Sequence, residues 1–352
     1  MPQKKVSIGL VGCGEVAHIH GKAIKRIKQV ELKAVVDINK ERASSFARKF
    51  RVKRFYLSLE DMLENEDSLD AVAIATPPQT HAELSIMAME SSKHVLVEKP
   101  MCVSYEEAED MVRIAEKNGV ILFPIEQFLF TPAIRRAINL VNKGKLGRLL
   151  SINAYASVYP LVKRLRNKGL PKWFFNLLGG IYGEEISHSL YTVLKILNEP
   201  IEHIHVSATG LSESRILPFA ELRVLLETED RYALITITSR DFSRHTLLIL
   251  SLNCEKGTVI VVPPLSLTIV YPHSLLRCKQ ILNVISSFLS NISKNTIDVV
   301  FRKLYKNCSW ETAYRLFMKS IVENTYPPIT GEEAKEWVRI TNFIWKKTGI
   351  LR

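Results

Sequence analysis

The first third of the chain alternates short, β-branched apolar runs with stretches in which apolar residues recur every three to four positions. The runs Val6–Val11, Leu32–Val36, Ala71–Ala75, His94–Val97 and Val120–Phe123 read as buried strands, with amphipathic helices in the intervals. A strand that is apolar on both faces needs cover on both. Right-handed crossovers supply it, so this alternation predicts a doubly wound, parallel α/β sheet. From about Gly147 the pattern changes. Longer strand candidates follow one another with few helices: Leu149–Val158, Ile204–Ala208, Glu221–Thr228, Tyr232–Ser239, Leu247–Asn253 and Thr258–Val262. They predict a large, mostly antiparallel sheet in a C-terminal α+β region. One helix, Ile181–Leu197, interrupts it, and a helical tail begins near Lys279. No repeat or low-complexity linker separates the two regions.

A length of 352 residues exceeds what one hydrophobic core usually organises, in keeping with two domains. Apolar runs such as Leu247–Leu252 stop far short of the roughly 20 residues a bilayer span requires, so no membrane span is expected. The opening MPQKKVSIGLVG passes directly into a strand without a signal-peptide core, which predicts a cytoplasmic protein. Cys13, Cys102, Cys254, Cys278 and Cys308 lie far apart and form no zinc-type spacing; free thiols and no metal are expected. The net charge of +12 fits attraction to nucleic acid, anionic lipid or a phosphorylated substrate, and fits solubility alone equally well. Neither a continuous basic face nor an aromatic stacking surface is evident, so no nucleic-acid partner is expected. The amphipathic stretch Ile281–Tyr305 is expected to pack on its own domain, although its basic end would also suit a membrane surface or a partner subunit.

The strongest local signal is Gly12-Cys13-Gly14-Glu15-Val16-Ala17, placed after a buried strand and opening a helix. It fits G-x-G-x-x-A. Gly12 permits the tight turn, Gly14 lets a pyrophosphate approach the backbone, and Ala17 lets helix and strand pack closely, with the helix N-terminus facing the phosphates. Asp37, twenty residues beyond Ala17 at the end of the next strand, is placed to accept hydrogen bonds from the adenosine ribose hydroxyls. A carboxylate there favours NAD. Lys40 and Arg42 nearby could serve a 2′-phosphate, which keeps NADP as the alternative. The chain thus divides into a dinucleotide-binding Rossmann domain, 1–124, and a substrate-binding and oligomerisation domain, 125–352.

Later strands end in further candidates, where ligands bind in open α/β sheets. After Ala71–Ala75 comes Thr76-Pro77-Pro78-Gln79-Thr80-His81, a stiff turn suited to lie along the cofactor. After His94–Val97 comes Glu98-Lys99-Pro100. A lysine at such an edge suits proton transfer or polarisation of a substrate oxygen.

The motifs VGCGEVA, AIATPPQTH and VLVEKPM together resemble the Gfo/Idh/MocA oxidoreductases, the group named for glucose-fructose oxidoreductase and inositol dehydrogenase. The resemblance continues through Phe130-Thr131-Pro132, Lys145-Leu146-Gly147 and Pro327–Glu332, and covers nearly the whole chain. It implies hydride transfer between a nicotinamide ring and a hydroxyl-bearing carbon of a sugar, cyclitol or nucleotide sugar. Lys99 matches the family's catalytic lysine, with Glu98 supporting it. The family's glycine turn followed by D-x-x-x-H has its nearest match in Gly179 to His188, which makes His188 the candidate base or acid and Glu184 its carboxylate partner on one helix face. Glu184 stands where the family usually has aspartate, Tyr191 where a second aspartate often follows, and Gln127 and Leu129 where asparagine and arginine are common. Gln127 retains an amide that can meet the nicotinamide. Homodimers or homotetramers are implied as well.

Between the first long strand and the glycine turn lie Lys163, Arg164, Arg166, Lys168 and Lys172, followed by Trp173. In related proteins this segment lines the substrate cleft, so the cations suggest an anionic substrate bound through Arg164, Arg166 and Trp173, against the plainer reading of a solvated basic loop. Because fold does not fix function, a non-catalytic regulator that binds dinucleotide and sugar remains the alternative.

Overall fold

The computed structural model describes residues 5–241, 248–273 and 308–351. The start of the strand predicted from Leu247, the amphipathic stretch 281–305, Cys278 and the first part of the helical tail lie outside the described residues. The chain forms two compact units. The first comprises Met1–Gln127 with Lys306–Ile340, and the second Phe128–Tyr305 with Thr341–Arg352. The sequence reads a single break near residue 125; the chain also returns to the first unit near its C-terminal end.

The first unit is built on six parallel strands, β1 (Val6–Val11), β2 (Val30–Val36), β3 (Arg54–Tyr56), β4 (Ala71–Ile74), β5 (His94–Val97) and β6 (Leu122–Pro124), in the order β3-β2-β1-β4-β5-β6. Five of these match the predicted runs, and β1 and β5 match them residue for residue. The sixth, β3, is three residues long and exposed along most of its length, too short and too polar to register as a strand in the sequence. β4 is wholly buried, in keeping with cover on both faces. Helices α1 (Ala17–Lys25), α2 (Lys40–Phe50), α3 (Leu59–Asn65), α4 (His81–Glu90) and α5 (Tyr105–Asn118) supply the crossovers. Their ends follow local chemistry. Asn39 caps α2 by accepting from the Arg42 N–H, and Ser104 and Glu107 form a reciprocal capping box on α5. The strand order reverses direction between β1 and β4, so the turns after these two strands open side by side at the carboxyl edge, the point where such sheets bind ligands.

The second unit begins with α6 (Pro132–Asn142) and β7 (Leu149–Ser157), followed by α7 (Tyr159–Lys168) and α8 (Ile181–Leu197). Strands β8 (His203–Thr209), β9 (Glu221–Glu227), β10 (Tyr232–Thr238), β11 (Leu248–Cys254), β12 (Gly257–Val262) and β13 (Leu267–Pro272) complete a seven-stranded sheet in the order β13-β12-β11-β7-β10-β9-β8. All its pairs are antiparallel except β10 with β7, so the sheet is mostly antiparallel as predicted. α8 packs on β7 and β10. One face of the sheet is closed by Leu222, Val224, Leu226, Ile235, Ile237, Leu250 and Leu252, all fully buried. The opposite face carries Leu225, Leu234, Ile249, Ile260 and Ile269 half-buried, and Tyr232 exposed. The sequence reading missed α7 and β13, because Pro160 and a run of cations obscure the first and a proline pair precedes the second. Two last helices, α9 (Cys308–Glu323) and α10 (Gly331–Lys347), close the described chain.

Candidate functional site

In the first unit, β1 ends at Val11 and the backbone turns at Gly12 with φ of +93°. A Cβ on Gly12 would stand 2.5 Å from the Ala75 carbonyl oxygen, so both the dihedral and the space require glycine. Gly14 differs. A Cβ there would meet no described atom within 4 Å, so the fold itself does not ask for glycine at this position. An open approach to the backbone is what a pyrophosphate needs. α1 opens at Val16 without a side-chain cap, which leaves its first amides available to phosphate oxygens, and Ala17 is fully buried against the sheet as the motif requires. Glu15 and Val16 are exposed beside the loop.

Asp37 is buried, and each of its oxygens accepts a backbone amide: Oδ2 from the Cys13 N–H at 2.9 Å and Oδ1 from the Asn39 N–H at 2.9 Å. The carboxylate therefore braces the glycine loop, a role that spacing alone did not show, and each oxygen keeps a lone pair for a ribose hydroxyl. Ile38 beside it is 93% exposed, a large apolar side chain held in solvent at the edge where an adenine would lie. The sequence reading passed over Ile38; an isoleucine following the strand-end acid was the available signal. Cys13 points inward, and burial, aided by the Asp37 charge, pushes its thiol up to about 12, so it is an unreactive packing group.

After β4, Thr76 is half-buried and Pro77 exposed. Thr80 donates its hydroxyl to Thr76 Oγ1 at 2.8 Å, closing the turn. His81 is fully buried, with Nδ1 2.8 Å from the Pro100 carbonyl oxygen and Nε2 2.9 Å from that of Thr76. Burial lowers its pKa, with the two carbonyls opposing. The structure places His81 as a strut joining the two ligand-edge turns, where the sequence offered it as a cofactor contact.

Lys99 is half-buried and follows β5 directly. Its neighbour Glu98 is buried, and Oε1 receives both His20 Nε2 at 2.9 Å and Trp310 Nε1 at 2.9 Å. Burial alone would raise the Glu98 carboxyl. The His20 hydrogen bond and charge, the indole N–H and the Lys99 charge outweigh it and take it down to about 2. A folded-state value below the ordinary one adds stability above about pH 4.5, and this is lost as pH falls toward 2. The shift from 4.5 corresponds to about 3 kcal/mol at neutral pH. Glu98→Gln should therefore flatten the fall of melting temperature between pH 5 and pH 2, measured against wild type by calorimetry; parallel curves would remove Glu98 from the acid response. Gln127, buried, ends the first unit.

In the second unit the glycine turn precedes α8 as predicted. Gly180, at φ of +55°, leaves no room for a Cβ against the Ile216 carbonyl oxygen. Tyr182 anchors the helix start by donating to the Ala220 carbonyl at 2.6 Å. Four residues apart on α8, Glu184 is half-buried and His188 is 8% exposed. The His188 ring lies 4.6 Å from that of Phe128 at 40°. Tyr191 is buried on the same helix. The basic segment is helical where a loop was expected. Arg164 and Arg166 lie exposed on α7, and Trp173 is half-buried and stacked on Phe174 at 4.1 Å. No group of three metal-ligating side chains occurs among the described residues, and no helix there is long and apolar enough to cross a membrane.

A family model described as oxidoreductase family, NAD-binding Rossmann fold (GFO_IDH_MocA), matches residues 6–125. The glucose-6-phosphate 3-dehydrogenase of Bacillus subtilis (strain 168) is 34% identical over 148 residues, which are 42% of this chain and 41% of that protein. The myo-inositol 2-dehydrogenase of Thermotoga maritima is 25% identical over 212 residues, 59% of this chain and 60% of that one. The matched stretches thus span less than two thirds of these relatives' own length. Among solved structures, the WlbA dehydrogenase from Bordetella pertussis, in complex with NADH and UDP-GlcNAcA, shares the fold. Its TM-score is 0.78 at 19% identity, covering 99% of this chain and 97% of that one.

Proposed function

We propose that this chain is a member of the Gfo/Idh/MocA oxidoreductases, whose NAD-binding Rossmann model matches residues 6–125, and that it is an NAD-dependent dehydrogenase acting on a CH–OH group of a sugar, cyclitol or nucleotide sugar. The observation that carries the reading is the glycine loop: Gly12 is demanded by the turn, whereas a Cβ on Gly14 would meet no described atom within 4 Å. Gly12, Gly14 and the α1 amides would hold the pyrophosphate, Asp37 the adenosine ribose, and Thr76, Pro77 and Gln127 the nicotinamide half. When bound, the dinucleotide supplies the hydride acceptor. On this reading Lys99 Nζ would set a positive charge against a substrate oxygen, and His188 would serve as the acceptor of a hydroxyl proton. Glu184, one turn before His188 on the same helix face, would orient the imidazole.

The reading is tested with purified protein and NAD⁺ by following the near-ultraviolet absorbance of the reduced ring on addition of myo-inositol, glucose 6-phosphate and UDP-GlcNAcA in turn. Absorbance growth with at least one supports it. NADH binding and polyol binding without turnover would favour the regulatory alternative.

The exposed cations of α7 point to an anionic substrate, with Arg164 and Arg166 pairing with carboxylate or phosphate oxygens. Arg164→Ala with Arg166→Ala should raise KM for such a substrate about 100-fold or more with kcat little changed, since each charge-assisted contact is worth about 1.5–3 kcal/mol. An unchanged KM would dismiss the role. The half-buried apolar residues on the open sheet face, with Tyr232 exposed among them, fit self-association into a dimer or tetramer. Leu234→Glu should shift sedimentation toward the monomer, and a wild type that is already monomeric would end that proposal.

A further inference from the structure

The Glu98-Lys99-Pro100 turn has little backbone support of its own. The Glu98 N–H still joins the sheet, donating to Ile74 O at 3.0 Å, but β5 has ended at Val97 and Pro100 has no N–H to give. The Lys99 N–H donates instead to the Glu98 side chain, at 3.1 Å from Oε2. That side chain is fixed from outside the turn. His20 of α1 and Trp310 of α9 both donate to Oε1, and the second ring nitrogen of His20 stands 2.8 Å from the Tyr314 hydroxyl. His20 and Tyr314 are fully buried and meet edge to face at 5.7 Å. Trp310 lies 212 positions beyond Glu98 along the chain, and all four residues belong to the first unit.

We propose that His20, Trp310 and Tyr314 are positioning residues that lock the Glu98 carboxylate and, through it, the backbone from which Lys99 projects; the proposal rests on the catalytic reading of Lys99 given above. The physical case is one of acceptor supply. A carboxylate is purely an acceptor and can take three or four donors, whereas a neutral acid or an amide cannot. Here three donors from three directions converge on one buried group: an imidazole, an indole and a backbone amide. A partly satisfied buried network is costly, so the arrangement over-determines the Glu98 rotamer and transfers that rigidity to the next residue. α1 is also the helix that opens at the glycine loop. The same network therefore ties the dinucleotide-facing helix to the lysine turn, and an element from the far end of the chain closes it.

Glu98→Gln keeps the shape but offers a single accepting oxygen to three donors. Trp310→Phe keeps most of the ring packing and removes one donor. The readout is hydrogen exchange at the Lys99 amide, followed by nuclear magnetic resonance on full-length protein labelled selectively at lysine nitrogen. Exchange at Lys99 should become about tenfold faster or more in both variants, as local opening grows easier, while lysine amides elsewhere keep their rates. In the NAD⁺-reduction assay the same variants should lower kcat while leaving NADH affinity unchanged. Should Glu98→Gln fail to fold, Trp310→Phe carries the test. An unchanged Lys99 amide in a folded variant would overturn the proposal, as would acceleration spread evenly over the whole unit, the mark of a merely structural role. Full turnover by Lys99→Ala would instead defeat the catalytic reading while leaving the exchange result in place, so the two failures are distinguishable.

Discussion

Lys99→Ala should lose about 10²–10⁴-fold in kcat, the range carried by a positioned proton-transfer or polarising group, while NADH affinity stays near wild type. The split follows from placement. Lys99 stands half-buried at the end of β5, whereas the phosphates are assigned to Gly12, Gly14 and the α1 amides after β1, so the lysine's assigned role is toward the substrate oxygen and not the phosphates. Lys99→Arg should rescue little, because a planar, permanently charged guanidinium cannot pass a proton and is too broad for the position of an ammonium. The measurement is steady-state turnover beside an NADH fluorescence titration. If kcat holds and NADH affinity collapses, Lys99 is a cofactor ligand and not part of the chemistry.

The second large effect separates two glycines that look alike in the motif. Gly12→Ala must place a Cβ 2.5 Å from the Ala75 carbonyl oxygen at a φ of +93°, so it should destabilise the fold by roughly 2–5 kcal/mol, strain and overpacking together. Gly14→Ala meets no described atom within 4 Å and should melt within a degree or so of wild type, since surface changes are usually worth no more than about 0.5 kcal/mol. Yet Gly14→Ala should weaken NADH binding by about 30-fold or more, because the added methyl occupies the approach a pyrophosphate needs and costs about 2 kcal/mol or more of contact. Calorimetric melting and NADH titration of the two variants check both halves. Equal NADH affinity in Gly14→Ala and wild type would remove the pyrophosphate from the loop.

These expectations show what the chain discloses in its linear order and what it hides. Five of the six strands of the first sheet were legible because each announces itself locally: an apolar run, a turn signal and an amphipathic interval repeat five times, and the glycine loop falls where strand gives way to helix. The switch near Gly147 from alternating strands and helices to successive long strands was legible too, as a change of period. The return of residues 306–340 to the first unit was not, since no local pattern tells Trp310 that its indole will meet Glu98. Contacts at such separation belong to the folded topology alone. The same holds for Asp37: its spacing from the glycines suggests a ribose ligand, but its bond to the Cys13 amide, 24 positions away, appears only when β1 and β2 lie side by side. α7 was hidden for a different reason. Its cations give a charged helix whose apolar face is narrow, with Val162 buried and Leu165 half-buried, and a polar run of this kind reads as a loop.

The histidines divide on the same principle. His18 and His20 stand two apart beside the glycine loop, and composition treats them as equals. The fold gives His18 a local bond to the Gly14 carbonyl at 2.9 Å and ring contacts with Phe46 and Phe50, and gives His20 the buried link to Glu98. Spacing could not have ranked them. His188 was offered by the family resemblance, and the helix read at Ile181–Leu197, on which it lies, is α8.

At the root of the account lies a nicotinamide dinucleotide seated on the glycine loop, with Asp37 at its adenosine ribose. Calorimetric titration of the wild-type protein with NADH and, separately, with NADPH tests this directly. The account predicts saturable binding of one NADH per chain, tighter than NADPH by about tenfold or more because a 2′-phosphate would face the Asp37 carboxylate. Heat-silent titrations with both dinucleotides, or a clear preference for NADPH, would contradict it.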